Sequence, residues 1–155
     1  MSLEFRFIRT EASNEAFQML VKFLDQELAI TDGDEHDFYH QFNGIESLNE
    51  VVIAYANEIA IACGAIKNYN KHTVEVKRMF TLEEYRGQEL AVLILDNLEA
   101  WSRELGYSYC ILETGTRQLA ALALYKKQGY QIIENYAQYK GLENSVCFKK
   151  KIVKD

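Results

Sequence analysis

The stretch that decides the fold runs from Val74 to Ala91 and reads VEVKRMFTLEEYRGQELA. Its first half has the composition of a strand, and a long amphipathic helical pattern begins at Gln88. The glycine-containing turn YRG joins the two. Backbone N–H groups at the start of a helix bind phosphate, because they lack an intrahelical acceptor and lie at the positive end of the helix dipole. The stretch therefore predicts a strand, an anion-binding turn and a helix.

The turn does not match the common nucleotide-binding motifs. No GK[ST] follows Gly87, so it is not a P-loop, and the G-x-G-x-x-G pattern of dinucleotide-binding folds is absent. Any phosphate bound here would be held by a different kind of loop.

Predicted strands and helices also occur on both sides of this stretch. The sequence predicts strands at FRFIRT, EVVIAYA, IAIACGAIKNY and VEVKRMFTL, a helix from Gln88 to Leu105, a buried strand at YSYCILE, a helix at RQLAALALYKKQ, and a closing strand pair at YQII and SVCFKKKIV. Ala16, Phe17, Leu20, Leu24 and Leu28 recur at helical spacing in an earlier helix, with Ser13 or Asn14 as its cap. The fold class is α/β (α+β), with helices on the faces of a sheet.

Composition excludes several classes of function. The chain has 155 residues, which fits one domain, and a formal charge of -6, which argues against binding a nucleic-acid backbone. No apolar run approaches the roughly 20 residues that span a bilayer, and the opening residues lack a signal-peptide pattern, so we expect a cytoplasmic protein. Cys63, Cys110 and Cys147 lie in apolar runs and are predicted to be buried thiols.

Three separately placed motifs resemble the GNAT family of N-acetyltransferases. Residues 86–91, RGQELA, resemble the Q/R-x-x-G-x-G/A turn of that family; LETG at 112–115 and QLAALALYKKQGY at 118–130 resemble the strand and helix that follow. The resemblance implies a mixed, mostly antiparallel sheet flanked by helices, with residues 1–155 as one domain and an acetyl-CoA core at 74–130. It also implies that the sheet splays between the strand before the turn and the LETG strand, and that acetyl-CoA enters this gap.

The resemblance assigns the cofactor-binding residues. Acetyl-CoA would bind as cosubstrate, with its pantetheine arm paired to the strand edge and its pyrophosphate at the backbone amides of the turn. The residues implied are Met79, Phe80, Thr81, Arg86, Gly87, Gln88, Glu89, Leu90, Ala91, Gln118 and Tyr125. Gln118 is placed like the Asn that lies near the CoA arm in many relatives.

Catalytic residues follow from the same resemblance. Tyr125 matches the family's usual general acid, and its reference pKa of about 10 lies above the value of about 8.5 for a thiol. The attacking amine must be neutral, which favours a nearby base; Glu113 is the preferred candidate and Glu75 the alternative. The predicted reaction is direct attack of a primary amine of a small molecule or peptide on the thioester, without a metal.

One residue departs from the family pattern. Glu89 stands where the family has its central glycine, and it places a side chain and a negative charge near the expected pyrophosphate. A like-charge pair at 4 Å costs about 1 kcal/mol in water and about 4 at an effective dielectric of 20. A GNAT-fold module that binds or senses a ligand without turnover is therefore the alternative function, although Glu89 could also point into solvent.

The acidic stretch TDGDEHD, residues 31–37, is the remaining candidate site. It lacks the Gly and Glu of an EF-hand loop, so we interpret it as a solvated acidic loop rather than a metal site. In many GNAT relatives this region helps to enclose the acceptor, so Asp34 and Glu35 would attract a cationic amine. The resemblance is also compatible with a homodimer.

Overall fold

A computed structural model of the protein describes residues 4–32 and 48–154. Asp34 and Glu35, predicted to attract the acceptor, lie outside these residues. The strands are β1 (Phe5–Thr10), β2 (Glu50–Ala56), β3 (Ile59–Asn70), β4 (Thr73–Thr81), β5 (Tyr109–Gly115), β6 (Gln131–Ile133) and β7 (Ser145–Lys151). The α-helices are α1 (Glu15–Asp32), α2 (Leu90–Glu104) and α3 (Leu119–Lys127), with single 3₁₀ turns at Glu83–Tyr85 and Ala137–Tyr139.

The strands form one sheet in the order β1-β2-β3-β4-β5-β7-β6. β2, β3 and β4 form an antiparallel meander, because short turns join them in sequence. β1 pairs antiparallel with β2, although α1 lies between them in the chain. β4 and β5 are parallel, and the long helix α2 makes the crossover between them. β7 lies between β5 and β6 and pairs antiparallel with both. The predicted mixed, mostly antiparallel sheet is confirmed.

The sheet splays between β4 and β5. Only Thr73, Val74 and Glu75 at the start of β4 pair with β5, although β4 continues to Thr81. β5 stays paired with β7 over its whole length. The second half of β4 therefore separates from β5 and leaves a gap at the carboxyl ends of the two parallel strands.

A β-bulge lies in β4 where this separation begins. Between Cys63 and Ala65 of β3, the partner on β4 moves from Phe80 to Lys77, so β4 carries one extra residue. Arg78 lies in the bulge with a left-handed φ of 56°. Bulges bend a strand and increase its twist, which directs the second half of β4 away from β5.

Helices cover both faces of the sheet. On one face α1 begins at the side chain of Asn14, whose Oδ1 accepts a hydrogen bond from the Phe17 N–H at 3.0 Å, and its buried residues Phe17 and Leu20 pack on β2 and β3. On the other face α2 and α3 pack on the sheet, with Ile94 and Leu98 fully buried. The gap between β4 and β5 therefore connects two different packing layers.

The predicted helix from Gln88 to Leu105 is shorter at both ends. Glu89 precedes the helix in a left-handed conformation, with φ 62° and ψ 17°, and its side chain makes no capping hydrogen bond. The expectation that Glu89 belongs to the first helical turn was therefore wrong. At the other end Gly106, with φ 94°, reverses the chain, so Leu105 is about half exposed rather than part of the apolar face.

The predictions for the cysteines are confirmed, since all three are buried as free thiols. Within residues 4–32 and 48–154, no helix is both long and apolar enough to cross a bilayer.

Candidate active site

A cavity of about 160 Å³ lies where β4 and β5 splay. Its walls come from α1, β4, β5, the start of α3 and the 3₁₀ turn before β7. The residues that line it include Glu75, Lys77, Arg78, Met79, Glu113, Gln118, Tyr125 and Tyr139. The cavity thus brings together side chains that are up to 115 positions apart in the sequence, from Leu24 to Tyr139.

Tyr125 forms the wall of the cavity on the side of α3. Its ring packs edge-on against Tyr130, with centroids 5.8 Å apart, and is tilted against Phe148 at 5.9 Å. These contacts fix the ring while the residue lines the cavity. Burial, together with the negative charge of Glu113, raises the pKa of the Tyr125 phenol well above its usual range. The phenol is therefore protonated at neutral pH and can donate a hydrogen bond into the cavity.

Gln118 precedes α3 and also lines the cavity. Its amide nitrogen is buried and has no hydrogen-bond partner among the described residues. A buried amide donor without an acceptor costs about 1–3 kcal/mol, so such a group points to a ligand that supplies the acceptor. A carbonyl or hydroxyl of a pantetheine arm has the required chemistry.

Glu75 is held by a tyrosine outside the cavity wall. The Tyr136 hydroxyl donates a hydrogen bond of 2.6 Å to Glu75 Oε2, and Lys77 Nζ lies 3.8 Å from Glu75 Oε1. Both charged residues are only 8% exposed. Burial lowers the pKa of Lys77 from its usual value, while the nearby charges of Glu75 and Glu113 oppose that shift.

Glu113 and Arg78 complete the charged part of the cavity. Glu113 lies near the end of β5, opposite Cys147 of β7, and it is less buried than Glu75. Arg78, from the bulge of β4, donates a hydrogen bond of 2.6 Å from Nη1 to Asp25 Oδ1 of α1. The predicted base candidates Glu75 and Glu113 therefore share one cavity with two cations that the sequence did not single out.

The turn from Arg86 to Ala91 lies outside this cavity. Gly87 has φ 84°, a conformation that favours glycine, and Glu89 also has a positive φ. The N–H groups of Leu90 and Ala91 begin α2 and have no intrahelical acceptor. The left-handed conformations of Gly87 and Glu89, together with the N–H groups that have no intrahelical acceptor, fit a pyrophosphate bound by main-chain amides.

Side chains of the turn are directed elsewhere. Arg86 Nη2 contacts Glu27 Oε2 of α1 at 2.6 Å, and its Nε donates to the Thr81 carbonyl oxygen at 2.9 Å. Both members of this ion pair are nearly half exposed, so it contributes little to stability. Glu89 is exposed to solvent.

The structure brings some predicted residues together and separates others. Glu75, Met79, Glu113, Gln118 and Tyr125 line one cavity. Phe80 instead packs in the core beneath α1, and Thr81 pairs with Ala62 of β3. Gly87, Gln88, Glu89, Leu90 and Ala91 form the separate turn.

Sequence reasoning missed Lys77, Arg78, Tyr136 and Tyr139. The spacing of Glu75 and Lys77 in one strand places them on the same face, and that signal could have identified Lys77. The two tyrosines lie between β6 and β7, and the insertion of β7 between β5 and β6 could not be predicted from the sequence. No group of three His, Cys, Asp or Glu residues that could hold a metal ion occurs in the part of the chain that the structure describes.

Comparisons with known proteins identify the family. The sequence model of the Acetyltransferase (GNAT) family matches residues 14–130. An "IAA acetyltransferase" of Azospirillum brasilense is 36% identical over 80 residues, which are 51% of this chain and 52% of that protein. The chain thus spans about half the length of that curated relative.

Solved structures show the same fold. A Klebsiella pneumoniae protein described as a candidate acyl-CoA N-acyltransferase superposes with a TM-score of 0.81 at 27% identity, covering 96% of this chain and 98% of that one. A GNAT family acetyltransferase from Elizabethkingia anophelis with acetyl-CoA bound has a TM-score of 0.67 at 16% identity, covering 95% and 97%. By its sequence motifs, its splayed sheet and these matches, the chain belongs to the GNAT acetyltransferase family.

Proposed function

We propose that this protein transfers the acetyl group of acetyl-CoA to a primary amine of a small molecule or peptide. The observation that carries the proposal is the cavity between β4 and β5. The protonated hydroxyl of Tyr125, the carboxylate of Glu113 and the amide of Gln118, whose nitrogen has no hydrogen-bond partner among the described residues, line this one cavity. An acid, a base and a hydrogen-bond donor in one cavity are what acyl transfer to an amine requires.

Tyr125 is proposed as the general acid. The amine nitrogen attacks the thioester carbon, so a C–N bond forms and the C–S bond breaks, and the departing sulfur receives the proton of the Tyr125 hydroxyl. Burial raises the pKa of Tyr125, and the same apolar surroundings raise the pKa of a thiol leaving group. The two pKa values therefore rise together, and the proton can pass between the two groups.

Glu113 is proposed as the base that takes the proton from the attacking nitrogen. Glu75 is less suited to this role, because its carboxylate already accepts the Tyr136 hydroxyl hydrogen bond and lies beside Lys77. Glu113 is also the more exposed of the two, which lets water carry the proton away. For a lysine-like amine, deprotonation at pH 7 costs about 4.6 kcal/mol, so a carboxylate at this position would help by accepting the proton.

Backbone groups would position the thioester. The β-bulge at Arg78 interrupts the ladder between β3 and β4 just before Met79, which lines the cavity. A backbone N–H near Met79 or Phe80 would then stabilise the developing oxyanion, a contact often worth about 3–4 kcal/mol. The amides from Gly87 to Ala91 would hold the pyrophosphate, and Gln118 would donate its amide hydrogen to the pantetheine arm.

The decisive experiment combines acetyl-CoA titration with release of free CoA in the presence of a broad panel of amines. Acetyl-CoA should bind, and at least one primary amine should release CoA at a rate that Glu113→Gln lowers strongly. Acetyl-CoA binding without CoA release from any amine would support the alternative, a GNAT-fold module that senses its ligand. Absence of acetyl-CoA binding at millimolar concentration would contradict the acetyltransferase and would leave a GNAT-fold module that binds a different ligand.

A further inference from the structure

A buried polar cluster lies outside the cavity, next to Tyr125. It consists of Glu99 in α2, Tyr130 after α3 and Lys150 in β7. The Tyr130 hydroxyl donates a hydrogen bond of 2.9 Å to Glu99 Oε2, and Lys150 Nζ donates one of 2.9 Å to Glu99 Oε1. Glu99 is 4% exposed and Tyr130 is 3% exposed. One buried carboxylate therefore joins three parts of the fold.

Tyr130 is connected to the proposed general acid in two ways. Its backbone N–H donates a hydrogen bond of 3.0 Å to the carbonyl oxygen of Tyr125. Gly129, with φ 91°, reverses the chain between the two residues at the end of α3. The two rings also pack edge to face. The hydroxyl of Tyr130 is therefore the point at which this pair of tyrosines is attached to α2.

The helix that carries Glu99 begins at the proposed pyrophosphate site. Leu90 is the first residue of α2, and Glu99 lies nine residues further on, which is roughly 14 Å along a helix. Ile94 and Leu98, both fully buried, fix the helix between these two points. The length of the pantetheine arm limits how far the thioester can lie from the pyrophosphate. The acid must therefore be held at a defined distance from the turn, and α2 spans that distance.

A folding role alone explains this cluster poorly. Buried ion pairs contribute little net stability compared with apolar residues of similar size, and a phenylalanine ring at position 130 would keep the packing on Tyr125. The hydroxyl and the carboxylate add a direction, because a hydrogen bond restrains where the ring lies. Such a restraint matters for a proton donor, since a displacement of about 1 Å can lower a rate about 10²-fold.

We propose that Glu99 and Tyr130 are positioning residues that hold the ring of Tyr125 at the distance from the turn that acetyl-CoA requires. Neither residue lines the cavity, so both act only through Tyr125. This inference rests on the proposed function, because it needs Tyr125 to be the general acid.

The test is a double-mutant cycle between Tyr130 and Tyr125. Tyr130→Phe keeps the ring and removes the hydrogen bond to Glu99, and the rate of CoA release in a single turnover should fall about tenfold. The Kd for acetyl-CoA should stay within about twofold. In the Tyr125→Phe background the same substitution should change the rate by less than about twofold, because the group that it positions is already absent.

Two substitutions at Glu99 give a second test that does not depend on Tyr130→Phe. Glu99→Gln keeps an oxygen that can accept the Tyr130 hydrogen bond, so the rate should stay within about threefold of wild type. Glu99→Leu removes the acceptor, and the rate should fall about tenfold. A loss of stability alone would not separate these variants in an assay run well below their unfolding temperatures, which thermal unfolding measures.

Tyr107→Phe is the matched control. The Tyr107 hydroxyl accepts a hydrogen bond of 2.7 Å from Asn68 Nδ2, and its ring packs against the same core as Tyr125, but the residue lies outside the cavity. Loss of this hydroxyl should leave the rate within about twofold.

The outcomes separate the positioning role from the proposed function. Equal losses from Tyr130→Phe in the wild-type and Tyr125→Phe backgrounds would overturn the positioning role, because the effect would not pass through Tyr125. An impaired Tyr125→Phe beside a fully active Tyr130→Phe would overturn it as well, and would leave the acid in place. Full activity of Tyr125→Phe would remove both the acid and its positioning residues, while N-acetylation itself would stand. If no amine releases CoA, the proposed function is wrong.

Discussion

The turn from Arg86 to Ala91 and the cavity between β4 and β5 belong to one proposed acetyl-CoA site, yet they are built in opposite ways. The turn offers backbone amides, and its residues Gly87, Gln88 and Glu89 are exposed, whereas Arg86 contacts α1 and Leu90 packs in the core. The cavity offers buried side chains from several elements. The difference indicates that the turn depends on backbone conformation and tolerates varied residues, whereas the cavity depends on the identity of a few side chains.

The largest effect is expected from the cavity, at Tyr125. Tyr125→Phe removes the proposed acid and keeps the ring that packs on Tyr130 and Phe148. We expect kcat to fall about 10²–10⁴-fold, the usual contribution of acid–base catalysis, with little change in the Kd for acetyl-CoA. Steady-state CoA release and calorimetric titration measure the two quantities.

Tyr109→Phe is the control for that experiment, because it removes a hydroxyl from β5 at a residue that does not line the cavity. It should leave kcat within about twofold, as expected of a surface substitution. Full activity of Tyr125→Phe would show that the cavity does not work through this side chain.

A structural effect of intermediate size is expected behind the bulge, at Gly64. A Cβ at this position would lie 2.6 Å from Met79 Sδ, 2.8 Å from Ile94 Cγ2 and 2.9 Å from Leu98 Cδ1. Gly64→Ala must therefore displace three side chains at once, including Met79 of the cavity wall. We expect a loss of about 1–3 kcal/mol in the free energy of unfolding, measured by urea denaturation. An unchanged unfolding midpoint would mean that this close packing is not needed.

A smaller effect, of opposite sign, is expected in the turn at Glu89. A non-glycine residue in the left-handed region costs about 1–2 kcal/mol, so Glu89→Gly should raise the free energy of unfolding, by less than that amount because glycine is more flexible when unfolded. Removing the charge should tighten acetyl-CoA binding by no more than about tenfold.

Glu89→Gln separates these two contributions. It keeps the backbone strain and removes the charge, so it should reproduce the gain in affinity without the gain in stability. Identical affinities of wild type and both variants would show that the exposed carboxylate lies too far from the pyrophosphate to matter.

The smallest effect at neutral pH concerns the buried thiols and phenols. Burial raises the pKa of Cys63 to about 12 and the pKa of Cys110 and Cys147 to about 11, from an ordinary value of 9.0. Burial also raises the pKa of the four tyrosines Tyr125, Tyr130, Tyr136 and Tyr139 above their usual range. Above about pH 9 the folded state thus holds more of these protons than the unfolded state, and stability falls as pH rises.

Lys77 contributes with the opposite sign, because its lowered pKa makes the unfolded state bind more protons between the folded value and 10.5. One lysine does not outweigh seven acids, so the unfolding midpoint should decline from pH 9 to pH 11 and stay nearly constant from pH 7 to pH 8.5. Thermal unfolding across this range measures the effect. Rapid reaction of the native thiols with Ellman's reagent at pH 8 would show that the cysteines are accessible, and would contradict the burial from which this pH dependence is predicted.

The same comparison explains what the sequence could predict. The turn, its helix, and the positions of Glu113, Gln118 and Tyr125 come from local motifs, since each lies at a fixed place relative to a strand or helix end. The charged part of the cavity depends on tertiary structure. Tyr136 donates its hydrogen bond to Glu75 in a sheet in which β7 inserts between β5 and β6, and no local pattern encodes the pairing of β7 with β5.

Two details of the backbone conformation could also not be predicted from the sequence. The bulge at Arg78 results from a shift in register between β3 and β4, and the left-handed Glu89 violates the usual preference for glycine. Both features lie at the proposed site. Local rules fail at such positions because the surrounding fold, rather than the residue itself, determines the conformation.

A crystal structure with acetyl-CoA bound would test most directly whether the turn and the cavity act as one site. We expect the pyrophosphate within hydrogen-bond distance of the amides between Gly87 and Ala91. The thioester should lie in the gap between β4 and β5, with its sulfur within about 3.5 Å of the Tyr125 hydroxyl, allowing for the larger radius of sulfur. A pyrophosphate held away from the turn, or a thioester outside the cavity, would contradict the shared site.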